Sequence, residues 1–218
     1  MHLGPLEQLR AGRLGRRLPQ LLLGLALYGV SMAMMLRSTL GLMPWDVLHD
    51  GVAGRLPLSF GQVVVATSLV VLLLWFPLRV MPGVGTIANA VLVGIAADLT
   101  LAVLAEPGTL AVRVPLLLGG IALNGVATAL YIGAQLGPGP RDGLMTGLVR
   151  RTGWSVRLVR TSIEVAVVVA GWMLGGVAGV GTALYALSIG PLVQHLLPVL
   201  TVDLGQGPGG SGVSASRR

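Results

Sequence analysis

The residues of this chain that could do chemistry recur in pairs. The pattern Leu-Gly-x-x-Pro-x-Asp-x-Leu-x-x-Gly occurs twice, as Leu40, Gly41, Pro44, Asp46, Leu48 and Gly51, and again as Leu136, Gly137, Pro140, Asp142, Leu144 and Gly147. Glycine ends a preceding helix at little steric cost, proline is tolerated in a first helical turn, and a carboxylate there interacts favourably with the helix dipole. Two readings stay open. One is a helix-turn-helix corner with a capping aspartate. The other is a pair of short helices, Pro44–Gly54 and Pro140–Arg150, dipping into a membrane from opposite faces with Asp46 and Asp142 at their tips beside a solute or cation path.

Glu164 is the acid that stands out within an apolar stretch, and an intramembrane acid is by default a functional candidate. Arg160 precedes it by four residues on the same helical face, so a local ion pair snorkelling to the interface competes with that role. Asp98 reads as a solvated helix end. Two uncharged pairs change places between the repeats, Tyr28 aligning with Asn124 and Asn89 with Tyr185. They suit either a hydrogen-bonding lining or interhelical polar contacts. No catalytic constellation is visible: His2, His49 and His195 are remote from one another, no zinc-binding His-Glu-x-x-His exists, and Ser59 and Ser155 lack a neighbouring base. The absence of cysteine removes thiolate chemistry and disulfides. The Gly-Val-Gly-Thr segments at Gly83–Thr86 and Gly179–Thr182 follow no strand and carry no P-loop lysine, which argues against nucleotide binding.

These pairs belong to a duplication. Residues Ala26–Gly94 align without a gap on Ala122–Gly190 at an offset of 96, with 22 of 69 positions identical. Internal repetition sets the unit of architecture. Here the unit is about half the chain, so the expected fold is a pseudo-twofold pair of halves within one domain, repeat 1 at about 18–105 and repeat 2 at about 114–200.

The elements that must position the pairs are membrane helices. Mean hydropathy is +0.84, and 54% hydrophobic against 11% charged residues lies far from soluble composition. Six apolar stretches of spanning length are read at about Leu18–Leu36, Gly61–Leu78, Val84–Leu104, Pro115–Leu136, Leu158–Leu174 and Val177–Val199. The first follows four arginines, as a secretory leader would, but its duplication marks it as a retained span. The basic residues are all arginine and lie mainly in the N-terminal segment 1–17, the 137–157 loop, the turn at Arg79 and the tail 201–218, which reads as disordered. With six spans, those four segments share one side, and the positive-inside rule makes that side cytoplasmic together with both termini. Three spans per repeat would make the halves inverted.

The segment Gly41-Leu-Met-Pro-Trp-Asp-Val-Leu-His-Asp-Gly51, the Ser-Phe-Gly at 59–61 and Pro82-Gly-Val-Gly-Thr-Ile-Ala-Asn89 resemble the bacterial YczE-like membrane proteins, relatives of the YitT group, over about Leu21–Leu197. The resemblance implies an inner-membrane protein of five or six spans and names no substrate. The second copy departs from the first where Arg141 replaces Trp45 and Met145 replaces His49.

The expectation is an all-α, polytopic transmembrane bundle of two inverted three-span repeats. It would move a small solute or ion by alternating access, with Asp46, Asp142, Glu164, Asn89, Asn124, Tyr28 and Tyr185 as candidate contacts. The alternative is an accessory or scaffold protein for a membrane partner. Neither enzymatic activity, metal, cofactor nor nucleic acid is expected. The expected partners are the lipid bilayer, a small solute and either a second copy or a partner protein.

Overall fold

A computed structural model describes Gln8 and residues 12–204. Residues Arg10 and Gly205–Arg218, which figured in the charge and disorder readings, lie outside the described residues. Among the described residues there are eight helices and no strand: α1 Leu14–Ser38, α2 Pro44–Ala53, α3 Phe60–Leu78, α4 Val84–Val103, α5 Leu110–Gly133, α6 Pro140–Thr152, α7 Val156–Met173 and α8 Val180–Leu200. Five of them, α1, α3, α4, α5 and α8, are long and apolar enough to cross a bilayer. The sixth stretch, α7, is an 18-residue helix that carries Arg157, Arg160 and Glu164. The chain is a polytopic helical bundle.

Local chemistry explains where the helices start. Pro44 and Pro140 open α2 and α6 at the position where a missing N–H costs nothing. Each is preceded by a glycine that must be one, Gly41 at φ 130° and Gly137 at φ 124°. Ser59 and Gln62 form a reciprocal capping box on α3. The α5 helix begins at Leu110, before the expected Pro115, with Thr109 as its N-cap residue and Arg113 Nε donating to the Pro107 carbonyl at 2.8 Å.

Most helices at equivalent places in the repeats make equivalent contacts. The centre is α1 against α5, and the two run antiparallel. Gly24, early in α1, abuts Leu130 and Tyr131 near the end of α5, while Met35, late in α1, abuts Gly120. Helix α4 packs on α1 and α8 on α5. The short helices cross over, α2 packing on α7 and α6 on α3. The Gly-Val-Gly-Thr segments form matching joints, Gly85 N–H donating to the Leu136 carbonyl and Gly181 N–H to the Leu40 carbonyl, each at 2.8 Å. Without a hydrophobic force between helices in lipid, such close approaches of small residues carry the packing. The core runs through Leu25, Met32, Met35, Val47, Ala97 and Leu136, all sealed from solvent. Leu73, Phe76, Val103 and Leu187 face outward, as a lipid-facing surface does.

Size is exchanged at the crossed joints. Trp75 of α3 covers Gly143 of α6 so closely that a methyl group there would overlap the indole, and its Nε1 donates to the Pro140 carbonyl at 2.9 Å. At the equivalent joint the large and small partners trade places, Gly171 of α7 lying against the backbone of Val47 in α2.

Candidate functional site

The two short helices direct their N-termini into one cavity of about 250 Å³, lined by Met43, Pro44 and Trp45 from α2 and by Gly139, Pro140, Arg141 and Asp142 from the start of α6. Tyr28 of α1, Asn89 of α4, Tyr131 of α5 and Tyr185 of α8 add a polar aromatic wall, and Arg160 and Glu164 of α7 with Gln194 of α8 complete it. Neither short helix has a side-chain N-cap, so each presents the positive end of its dipole.

The acids of the cavity are engaged. The Tyr131 hydroxyl donates to Asp142 Oδ2 at 2.7 Å, and Arg160 Nε donates to Glu164 Oε1 at 2.9 Å, the i,i+4 pair that the sequence spacing anticipated. Asp46 is fully buried but stays outside the lining. Its Oδ1 lies 3.1 Å from His49 Nδ1, and its Oδ2 has no hydrogen-bond partner. Arg141 lies over two rings, its guanidinium carbon 5.6 Å from the centre of the Trp45 ring and 5.8 Å from that of Tyr28. Among the described residues it finds no hydrogen-bond acceptor.

Of the seven candidate contacts, the structure brings Tyr28, Asn89, Asp142, Glu164 and Tyr185 to the cavity wall. Asn124 stands one layer behind, where the Tyr185 hydroxyl donates to its Oδ1 and its Nδ2 donates to Ser31 Oγ, both at 2.9 Å. Ser31 Oγ in turn donates to the Tyr28 carbonyl, so this chain of bonds holds two wall tyrosines in place. The remaining motif positions pack: Gly51 abuts Gly171 and Leu174, and Gly147 abuts Leu78 and Val80. Arg141, Trp45 and Tyr131 were not among the candidates. For Arg141 and Trp45 the signal is the gain of a charge inside the duplicated motif, Arg141 at the position of Trp45. No group of three His, Cys, Asp or Glu side chains that could hold a metal ion exists among the described residues.

Asp98 is not the solvated helix end that its sequence position suggested. It accepts hydrogen bonds from Gly61 N–H at 2.7 Å and from the Ser59 hydroxyl, tying α4 to the start of α3. Gly61 and Gly94 let the helices approach until a methyl on either would overlap the other's carbonyl. At the equivalent positions of repeat 2 stand Ser155, Arg157, Gly190 and Gln194. There α7 and α8 barely touch, Gly190 has open space around it, and Arg160, Glu164, Gly190 and Gln194 line the cavity instead.

A sequence model described as a family of unknown function, DUF6198, matches residues 15–198. An uncharacterised protein of Haemophilus influenzae is 40% identical over 180 residues, covering 83% of each chain. The Bacillus subtilis protein called uncharacterised membrane protein YczE is 33% identical over 172 residues, 78% of this chain and 80% of its own. The resemblance to YczE-like membrane proteins is thereby borne out. No solved structure matches.

Proposed function

The chain belongs to the DUF6198 family, and from that premise we propose that it is a carrier, moving a small solute across the bacterial cytoplasmic membrane by alternating access between two inverted halves. The observation that carries the proposal is the unequal closure of two equivalent crevices. One, between α3 and α4, is latched by Asp98 and the Gly61–Gly94 contact. The other, between α7 and α8, is spread and lined by cavity residues.

A carrier built from two related halves reaches its site from one side at a time, by opening one crevice and shutting its counterpart. Three further features support the reading. The equivalent helices α1 and α5 run antiparallel. Trp45 and Arg141, equivalent by the offset of 96, meet each other as residues beside a twofold axis do. Short helices aim their N-termini at a shared cavity, the arrangement that discontinuous helices provide in many secondary transporters. The protein binds and releases its solute without making or breaking covalent bonds, and its arginine-rich segments, with both termini, face the cytoplasm.

The native chain has no cysteine, so the inversion is testable with one residue at a time. Leu56 and Thr152 are equivalent by the same offset, and both are exposed just beyond a short helix or at its end. Leu56→Cys and Thr152→Cys react with an impermeant thiol reagent from opposite faces in intact cells and inverted vesicles. Reaction from the same face overturns the inverted arrangement and leaves the accessory role as the better reading.

A further inference from the structure

The carrier reading leaves the solute open, and the cavity's hydrogen-bonding inventory narrows it. We propose that the cavity recognises the carboxylate of a small solute through the edge of the Arg141 guanidinium. The proposal takes the cavity of the carrier reading as its site but requires only binding.

Two arginines show what is distinctive. Arg17 is sealed from solvent and spends its donors on backbone carbonyls, Nε on Ala134 at 2.8 Å and Nη2 on Gln135 at 2.6 Å, so it serves as a cap on the end of α5. Arg141 spends none among the described residues, although it carries five N–H groups. Rings approach it from Tyr28 and Trp45. A ring attracts the cation through its π face and offers no conventional hydrogen-bond acceptor, so the N–H groups stay free as the paired donors that match a carboxylate.

The surrounding charges leave the Arg141 guanidinium as the cavity's uncommitted charge among the described residues. Asp142 accepts from Tyr131, and Glu164 is paired with Arg160. Asp46, which balances Arg141 electrostatically, is fully buried and outside the lining, so a solute in the cavity meets the guanidinium and not that carboxylate. Both short helices add the positive ends of their dipoles on the same side, which favours an anion. A cavity of about 250 Å³ suits a small solute, below the usual range of drug-sized pockets. The amide of Asn89 remains at the wall for its other polar groups, and the Tyr185 hydroxyl, whose proton goes to Asn124, can still accept there. Arginine rather than lysine matters here, because a planar, bidentate acceptor gains from the fork.

The test is calorimetric titration of the full-length protein in lipid nanodiscs with acetate and benzoate, and with benzamide as the neutral counterpart of benzoate. Saturable binding of at least one carboxylate, absent for benzamide, is expected. Arg141→Gln weakens it by about tenfold or more, and Arg141→Lys by a smaller factor because charge is kept and the fork lost. Monodisperse elution and an unchanged unfolding midpoint for Arg141→Lys separate loss of the site from loss of the fold. Failure of both carboxylates to outbind benzamide, or carboxylate binding indifferent to Arg141→Gln, overturns the proposal. Arg141-dependent binding without flux in proteoliposomes would leave the site standing and remove the carrier. Flux of a solute that survives Arg141→Gln would do the reverse.

Discussion

The crevice between α3 and α4 and the crevice between α7 and α8 descend from the same pattern and ended in different states. At the first, glycine at 61 and aspartate at 98 allow backbone contact and then fasten it with the Asp98 carboxylate. At the second, arginine at 157 and glutamine at 194 provide neither, and the helices diverge around the cavity. The lesson is that duplication supplies the frame, matching joints included, while a few unmatched side chains decide which pair of helices packs closely.

The comparison can be broken most severely at the joint beneath the closed crevice. Trp75→Ala removes the indole that fills the space over Gly143, and a loss of about 3–5 kcal/mol is expected for a large-to-small change of this kind, read as thermal unfolding in detergent. Gly94→Ala forces a methyl against the Gly61 carbonyl and is expected to cost about 1–3 kcal/mol in the same assay, as overpacking does. The equivalent change at the open crevice, Gly190→Ala, meets open space. It should be neutral or stabilising by about 0.5–1 kcal/mol, because alanine suits a helix interior better than glycine. Equal effects at 94 and 190 would erase the distinction between the crevices. The smallest effect is expected for Glu164→Gln, since the partly exposed Arg160–Glu164 pair contributes on the order of 0–1 kcal/mol. Its stability should stay close to that of the parent protein.

Much of the frame was legible in the chain. The 3.6-residue helices bounded by Gly and Pro appear where the apolar stretches placed them, as at α3, Phe60–Leu78, and α4, Val84–Val103. The turn at Gly175–Gly179 does divide α7 from α8. The Arg160–Glu164 pair was readable because its partners are one helical turn apart. Asp98 was misread because its partners, Ser59 and Gly61, lie nearly forty residues away, and only the meeting of two helices joins them. In the sequence Arg141 shows only as a departure from its repeat, at the position of Trp45. Its significance comes from lying over the rings of Trp45 and Tyr28, which are distant in sequence, and from the engagement of Asp142 and Glu164 by other groups. Local spacing carries helix boundaries and i,i+4 pairs, whereas a cavity made of side chains from seven helices is a product of tertiary packing.

The measurement that bears most directly on the central claim is the sidedness of the cavity itself. Thr128 lines it and is partly exposed. Thr128→Cys, in the otherwise cysteine-free chain, would be labelled with an impermeant thiol reagent in intact cells and in inverted vesicles, with and without Asp98→Asn. The account predicts labelling predominantly from one face in the parent, and increased labelling from the opposite face once the Asp98 latch is weakened. A pattern unchanged by Asp98→Asn, or no labelling from either face, would contradict it.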